Sequence, residues 1–144
     1  MLIEESILIN AGLQDIWKTF TDLTCWANWN TVAGKVASGS GRIEEGERFT
    51  FCLRPFAVPI MIESRIEEVV TGEKVVWTGT KFGIFSRHEF LFQQVSNGVL
   101  VTSRETFRGL PLLFGGITFP KSTVRELTAG MLKDLKKAAE KTRG

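Results

Sequence analysis

The sequence predicts an α+β fold in which an antiparallel sheet wraps around one long carboxy-terminal helix. Three observations carry this expectation. Apolar residues recur at helical spacing near the amino terminus and again over the last stretch of the chain, strand-like alternation fills the region between, and turn sequences close those strands into hairpins.

Taken in order, Ile3, Ile7 and Ile9 alternate in a first strand, with Glu5 between them on the same face. Leu13, Ile16, Trp17 and Phe20 follow at i, i+3, i+4 and i+7, the single stripe of an amphipathic helix. Asp22 to Trp29 reads as a second short helix, meeting the first at an angle near Asp22. The glycine-rich VAGKVASGSGRIEEGE sets a weak edge strand apart from FTFCLRPF, whose Phe49, Phe51 and Leu53 share a face. PIMIESRIEEV and VVWTGTKF form a hairpin around Gly72, with Ile60, Ile62 and Ile66 alternating on one strand and Val75 and Trp77 on the other. The last helix, Pro120 to Lys141, carries Val124, Leu127, Met131, Leu135 and Ala138 at helical spacing. Gly130 interrupts it at a cost of ~1 kcal/mol relative to alanine. Two short helices between the first and second strands, with the long helix at the end, make a helix-grip arrangement.

The stretch FSRHEFLFQQVSNGVLVTSRETF holds the only histidine, His88, together with Glu105, in an otherwise apolar-alternating hairpin. Asn97-Gly98 is the signature of a two-residue type I′ turn, because both central positions need positive φ. That turn sets Ser96 against Val99, Phe92 against Ser103, Phe90 against Glu105 and His88 against Phe107. His88 and Glu105 then lie on the face covered by Phe90, Phe92, Val101 and Phe107, as diagonal neighbours with backbones roughly 7–8 Å apart.

A chain of 144 residues is read as one domain, 1–144, large enough to bury well over half of its unfolded surface. The net charge of +2 is nearly balanced and the cations are scattered, which speaks against nucleic acid as a partner. Cys25 and Cys52 lack metal-ligand spacing and are read as reduced thiols of a cytoplasmic protein. MLIEESILIN has acids where a signal peptide needs a basic region, and no apolar run approaches the ~18 residues of a membrane span, so neither export nor integral membrane association is expected. Eleven Phe and four Trp without Tyr give an interior rich in aromatic surface and poor in hydroxyls.

No metal site, nucleophile elbow, phosphate loop or dinucleotide fingerprint is present, so no cofactor and no metal is expected. GSGRIEEG lacks both the strand-before, helix-after context and the P-loop lysine. The chemistry on offer is one histidine and a few carboxylates. An ionised Glu105 in an apolar interior must be paired, hydrated or protonated. It is either a strut bonded to His88, an arginine or water, or the group that anchors a ligand hydroxyl or amine or takes its proton. His88 is either a hydrogen-bonded core residue, a ligand contact or an acid–base group, and histidine alone here has an unperturbed pKa near neutrality. Trp26 and Trp29 are packing or cavity-mouth contacts, and Phe51 and Trp77 are core or cavity wall. Ile62, Phe90, Ser103 and Phe114 complete the expected ligand contacts. The segment RGLPLLFGGITFP is too apolar for a solvated loop, so residues 110–119 are read as a lid over the cavity or as an interface, including one between two copies.

These residues also resemble a known family. AGLQDIWKTFTDLTCWANWN is similar to the amino-terminal motif of the START-related lipid-binding superfamily (SRPBCC), GSGRIEEGERFTF to its G-x-L-x-x-G segment, and HEFLF with NGVLVTSRETFRG to its closing hairpin. The matches span about residues 3 to 141 in the correct order and spacing. The resemblance is to the polyketide cyclase/dehydrase-like branch, which shares its fold with birch-pollen-type allergens. It implies a seven-stranded curved sheet around the carboxy-terminal helix, with a cavity between them. Gly12 and Thr31 stand where the family often has proline, Val99 where it has threonine, and Ser103 where histidine is frequent. The last two remove polar groups that an aromatase-type array would use.

The expected activity is sequestration of an apolar or aromatic small molecule in a cavity of roughly 300–1,000 Å³, with His88 and Glu105 orienting it. A cyclase/dehydrase-type enzyme using those two residues is the alternative, and a protein-interaction module using 110–119 the third reading.

Overall fold

The computed structural model describes residues 1–53, 60–109 and 121–143. The apolar segment 110–119, with Phe114, and the expected helix start at Pro120 lie outside them. Seven strands, β1 (Leu2–Ile9), β2 (Ala33–Ser38), β3 (Arg48–Leu53), β4 (Ile60–Val70), β5 (Lys74–Lys81), β6 (Ile84–Val95) and β7 (Gly98–Arg108), form one antiparallel sheet in the order β1-β7-β6-β5-β4-β3-β2. Between β1 and β2 stand α1 (Leu13–Thr21), a 3-10 turn (Leu23–Cys25) and α2 (Trp26–Trp29), and the chain closes with α3 (Lys121–Arg143). The second short helix expected over Asp22–Trp29 is thus a 3-10 turn continued by one α turn, with Asp22 as its cap. The Asp22 carboxylate accepts the Thr24 N–H at 3.1 Å and the Thr24 hydroxyl at 2.5 Å.

The sheet curves because register breaks in two places. Bulges lie between Gly34 and Ala37 of β2 and between Ile66 and Glu68 of β4, and each adds local twist and bends its strand. The concave face carries the apolar parity of every strand. Phe20 of α1 drops into it, with ring centroids 4.7 Å from Phe90 and 5.5 Å from Phe92. Trp77 sits 5.0 Å from Phe90 and 5.1 Å from Phe49. Trp26 joins this cluster and donates its indole N–H to the Phe20 carbonyl at 2.8 Å, so its burial leaves no donor unpaired.

The buried stripe of α3 is Thr128, Met131, Leu132, Leu135 and Ala139. It shares Met131 and Leu135 with the expected stripe and adds Thr128 and Leu132, while Val124 and Leu127 face the cavity, Ala139 is fully buried and Ala138 faces an outer groove. The helix packs chiefly on β1, α1 and α2. Asp134 fixes it to the α2–β2 corner by accepting the Thr31 N–H at 2.9 Å and the Thr31 hydroxyl at 2.7 Å. Its amino-terminal half stands off the middle of the sheet, and a cavity fills the space.

The β6–β7 register differs from the expectation by two residues. Val95 pairs with Gly98, which makes Ser96 and Asn97 the turn centre, and neither has positive φ. The glycine signal was genuine but has another cause. A Cβ on Gly98, at φ +145, would lie 2.3 Å from the Ile9 carbonyl oxygen, so it is the approach of β1 that demands glycine. A shift of two preserves every side chain's face. It places Phe90 opposite Ser103, Phe92 opposite Val101, Ser86 opposite Phe107, and His88 directly opposite Glu105. The turn with two positive-φ centres is found instead in the β5–β6 hairpin, at Phe82 and Gly83.

Candidate functional site

The cavity measures about 580 Å³ and lies between the amino-terminal half of α3 and strands β3 to β7. Trp26, Phe51, Ile62 and Trp77 form apolar walls, and Val124, Leu127 and Met131 of α3 face them. These residues arrive there for a simple reason. Strand side chains alternate, so the parity that buries Phe49 and Ile66 on the concave face also presents Phe51 and Ile62 to the space under the helix.

His88 and Glu105 both line this cavity. The imidazole is stacked on Phe90 with centroids 4.3 Å apart and meets the Trp77 ring edge-on at 5.3 Å. Its Nδ1 stands 3.3 Å from Glu105 Oε2, and its Nε2 stands 2.6 Å from Ser103 Oγ. The side chains of His88 and Glu105 are 11% and 16% exposed. In the neutral tautomer that suits these distances, Nδ1–H donates to the carboxylate and the Ser103 hydroxyl donates to Nε2. Protonated His88 would donate at both nitrogens. Serine, imidazole and carboxylate thus stand in the order of an acyl-transfer triad. Ser103, however, is fully buried behind the imidazole and does not line the cavity. Its hydroxyl reaches no cavity substrate and serves to fix the ring. Glu105 holds the opposite end of the chain, where a carboxylate with about four lone-pair sites has capacity beyond the single bond to His88.

Six of the expected contacts line the cavity together: Trp26, Phe51, Ile62, Trp77, His88 and Glu105. Phe90 and Ser103 do not; they form the layer beneath His88. Trp29 faces away from the cavity, into a groove between α1, α2 and the carboxy-terminal half of α3. Its indole N–H is buried without a partner among the described residues. Phe114 lies outside the described residues.

Sequence reasoning missed four hydroxyls that line the cavity, Ser64, Ser86 and Thr128 along its wall and the exposed Thr80 near the β5–β6 tip. The signal was parity. Ser64 sits between Ile62 and Ile66 on the concave face of β4, Ser86 two residues before His88 on β6, and Thr128 four residues after Val124 on α3. Small polar residues at these apolar-parity positions mark the polar part of the cavity wall. Among the described residues no group of three or more metal-ligating side chains is found. Both cysteines are free: Cys52 is buried in β3, and Cys25 donates to Asp22 at 3.2 Å, away from the cavity.

The sequence matches the family model described as "Polyketide cyclase / dehydrase and lipid transport" over residues 2–140. The chain belongs to this family. Among curated proteins no significant sequence match is found. Solved structures share the family's fold at low identity. TTHA0849 from Thermus thermophilus is 13% identical with a TM-score of 0.81, each chain covered in full. The di-domain ARO/CYC StfQ from the steffimycin biosynthetic pathway is 16% identical with a TM-score of 0.80, covering 99% of this chain and 52% of StfQ. Ara h 8.0201 is 11% identical with a TM-score of 0.74, 98% of both chains covered. As a family member, the protein has the seven-stranded helix-grip architecture that the sequence motifs implied, and no helix among its described residues is long and apolar enough to cross a membrane.

Proposed function

We propose that this family member is a single cytoplasmic ligand-binding domain that sequesters an apolar or aromatic small molecule carrying a hydroxyl or amine. One observation carries the reading: an aromatic-walled cavity of about 580 Å³ contains one carboxylate, Glu105, whose position is fixed by His88. That size is within the range of small-molecule sites, which join a mostly apolar lining to a few placed polar groups. Trp26, Phe51 and Trp77 supply flat apolar surface, and Glu105 accepts from the ligand's polar end. Ser64, Ser86 and Thr128 offer hydroxyls that can donate or accept along the wall. The reading calls for no metal and no cofactor.

A cyclase or dehydrase activity is the second reading, favoured by the bond between His88 and Glu105 at the cavity wall and by the fold shared with an ARO/CYC protein. Glu105 would remove a proton next to a ligand carbonyl, and His88 would hold the carboxylate in place. General acid–base groups typically contribute about 10²–10⁴-fold, so turnover separates the two readings.

The test is native mass spectrometry of protein isolated from its own host, joined to titration with an environment-sensitive naphthalene dye. The expected result is one small molecule per chain, dye binding at one site, and thermal stabilisation by the dye. At a hundredfold excess over the dissociation constant, linkage gives about 2.7 kcal/mol. Failure of every lipid, flavonoid and polyketide in a broad panel to displace the dye would overturn the reading.

A further inference from the structure

We propose that Ser64 is a second polar anchor in the cavity and that, with Glu105, it selects a flat two-ring aromatic ligand carrying an oxygen substituent at each end. The inference rests on the ligand-binding reading above and adds the shape of the ligand to it. Four hydroxyl-bearing side chains are buried among the described residues: Thr21, Ser64, Ser103 and Thr128. The two away from the cavity are satisfied by the protein. Thr21 donates to the Trp17 carbonyl at 2.8 Å, and Ser103 is bonded to His88 Nε2 at 2.6 Å. The two that line the cavity, Ser64 and Thr128, have no hydrogen-bond partner among the described residues. A buried hydroxyl is ordinarily satisfied by protein, by water or by a ligand. For Ser64, only 3% exposed, the open space is the cavity.

Strand register sets the distance between the two anchors. Glu105 of β7 is opposite His88 of β6, and Ser86, two residues before His88, pairs with Gly79 of β5. Ser64 of β4 lies beside that glycine. A Cβ on Gly79 would come within 3.5 Å of Ser64 Oγ and 2.8 Å of the Glu63 carbonyl oxygen. The approach of the Glu63 carbonyl demands glycine here, and its consequence is bare β5 backbone between Ser64 and Ser86, all three residues being on the cavity wall. A ring can lie flat there, where a larger side chain would lift it away. The anchors themselves stand on β4 and β7, three strand spacings apart, or about 14 Å between backbones along the sheet. A two-ring frame with an oxygen at each end, reached by the two side chains through hydrogen bonds of about 2.8 Å, fills that span. The ends differ in chemistry. The Glu105 carboxylate accepts from a hydroxyl, whereas the Ser64 hydroxyl donates or accepts, so the oxygen beside it is that of a hydroxyl or a carbonyl.

Three fluorescent probes share one frame and differ in where a second oxygen stands: 2-naphthol has none, 2,6-dihydroxynaphthalene has it at the far end, and 2,3-dihydroxynaphthalene has it beside the first. Titration of the wild type should show the 2,6-diol binding about three- to tenfold tighter than 2-naphthol, the worth of one neutral hydrogen bond. Ser64→Ala should remove that advantage and leave 2-naphthol and the 2,3-diol unchanged. Its unfolding midpoint should hold or rise, because alanine replaces a buried hydroxyl that the folded protein leaves unbonded. Equal wild-type affinity for 2-naphthol and the 2,6-diol, an equal effect of Ser64→Ala on all three probes, or a lowered midpoint would overturn the inference and leave the ligand-binding reading standing. Binding of the naphthalene dye without binding of any probe would do the same. A protein that binds neither dye nor probe loses both readings.

Discussion

Nδ1 of His88 stands 3.3 Å from Oε2 of Glu105 because the two residues face each other across β6 and β7. A directly opposed pair is held by the backbone ladder itself, so the carboxylate keeps its place at the cavity wall without a ligand. The same geometry gives Glu105 and His88 different duties. Glu105 has acceptor capacity to offer a ligand, and His88 is bonded on both ring nitrogens.

Glu105→Gln keeps the shape of the side chain and an oxygen that can accept from Nδ1. We expect an unfolding midpoint close to wild type. Affinity for a ligand bearing a hydroxyl or amine should fall about tenfold or more, equivalent to about 1.4 kcal/mol. Calorimetric titration of a hydroxylated aromatic against its deoxy analogue checks this, the analogue losing little.

His88→Ala leaves the Ser103 hydroxyl and the Glu105 carboxylate without their shared partner. Urea denaturation should show a loss of about 1–3 kcal/mol, the usual cost of a buried polar group left unsatisfied. A double-mutant cycle with Ser103→Ala should show strong coupling, since the serine's bond is to the imidazole. Additive losses would mean that Ser103 and His88 act separately.

Thr128→Phe projects a ring from α3 into the cavity, where the threonine side chain now meets open space. Dye affinity should drop about tenfold or more. Stability should hold or rise, because the added ring fills a void and removes a hydroxyl from an apolar surround. Parallel thermal scans and dye titrations decide the matter, and an unchanged affinity would place the dye elsewhere.

Asp22 gives a pH signature. Its carboxyl is held below the ordinary carboxylate range, first by the hydroxyl of Thr24, then by the thiol of Cys25, with Arg42 adding a smaller attraction. A carboxyl that is more acidic in the folded state stabilises it above the unfolded-state pKa of about 3.9, and loses that contribution as pH falls through the lower folded value. Asp22→Asn should therefore lower the thermal midpoint at neutral pH, and the gap from wild type should close on acidification below about pH 4.

The β6–β7 turn can be probed at two adjacent residues. Gly98→Ala places a Cβ 2.3 Å from the Ile9 carbonyl oxygen at φ +145, so it should destabilise by more than about 1 kcal/mol. Asn97→Ala, at a residue without positive φ, should stay within about 0.5 kcal/mol of wild type. The reverse ranking would restore the type I′ turn that the Asn-Gly pair suggests.

Much of the fold was written in short-range pattern. Period-two alternation fixed which residues of each strand share a face, and helical spacing fixed the stripe of α1 and most of that of α3, because both repeats follow from backbone geometry within one element. That is why His88 and Glu105 could be placed on one concave face even though the strand register was two residues off: side-chain parity survives a shift of two. What pattern could not settle was decided by atoms distant in sequence. Gly98 is required by the carbonyl of Ile9, Trp29 turns to an outer groove beside α3, and Ala139 takes the buried place expected for Ala138. The cavity belongs to the same class. Its wall hydroxyls Ser64, Ser86 and Thr128 sit at positions whose parity is local, but they face open space only because α3 closes on β1, α1 and α2 and spans the middle strands without filling the gap. Packing between elements, which no single element's period encodes, decides whether an inward-facing side chain meets another side chain or a ligand.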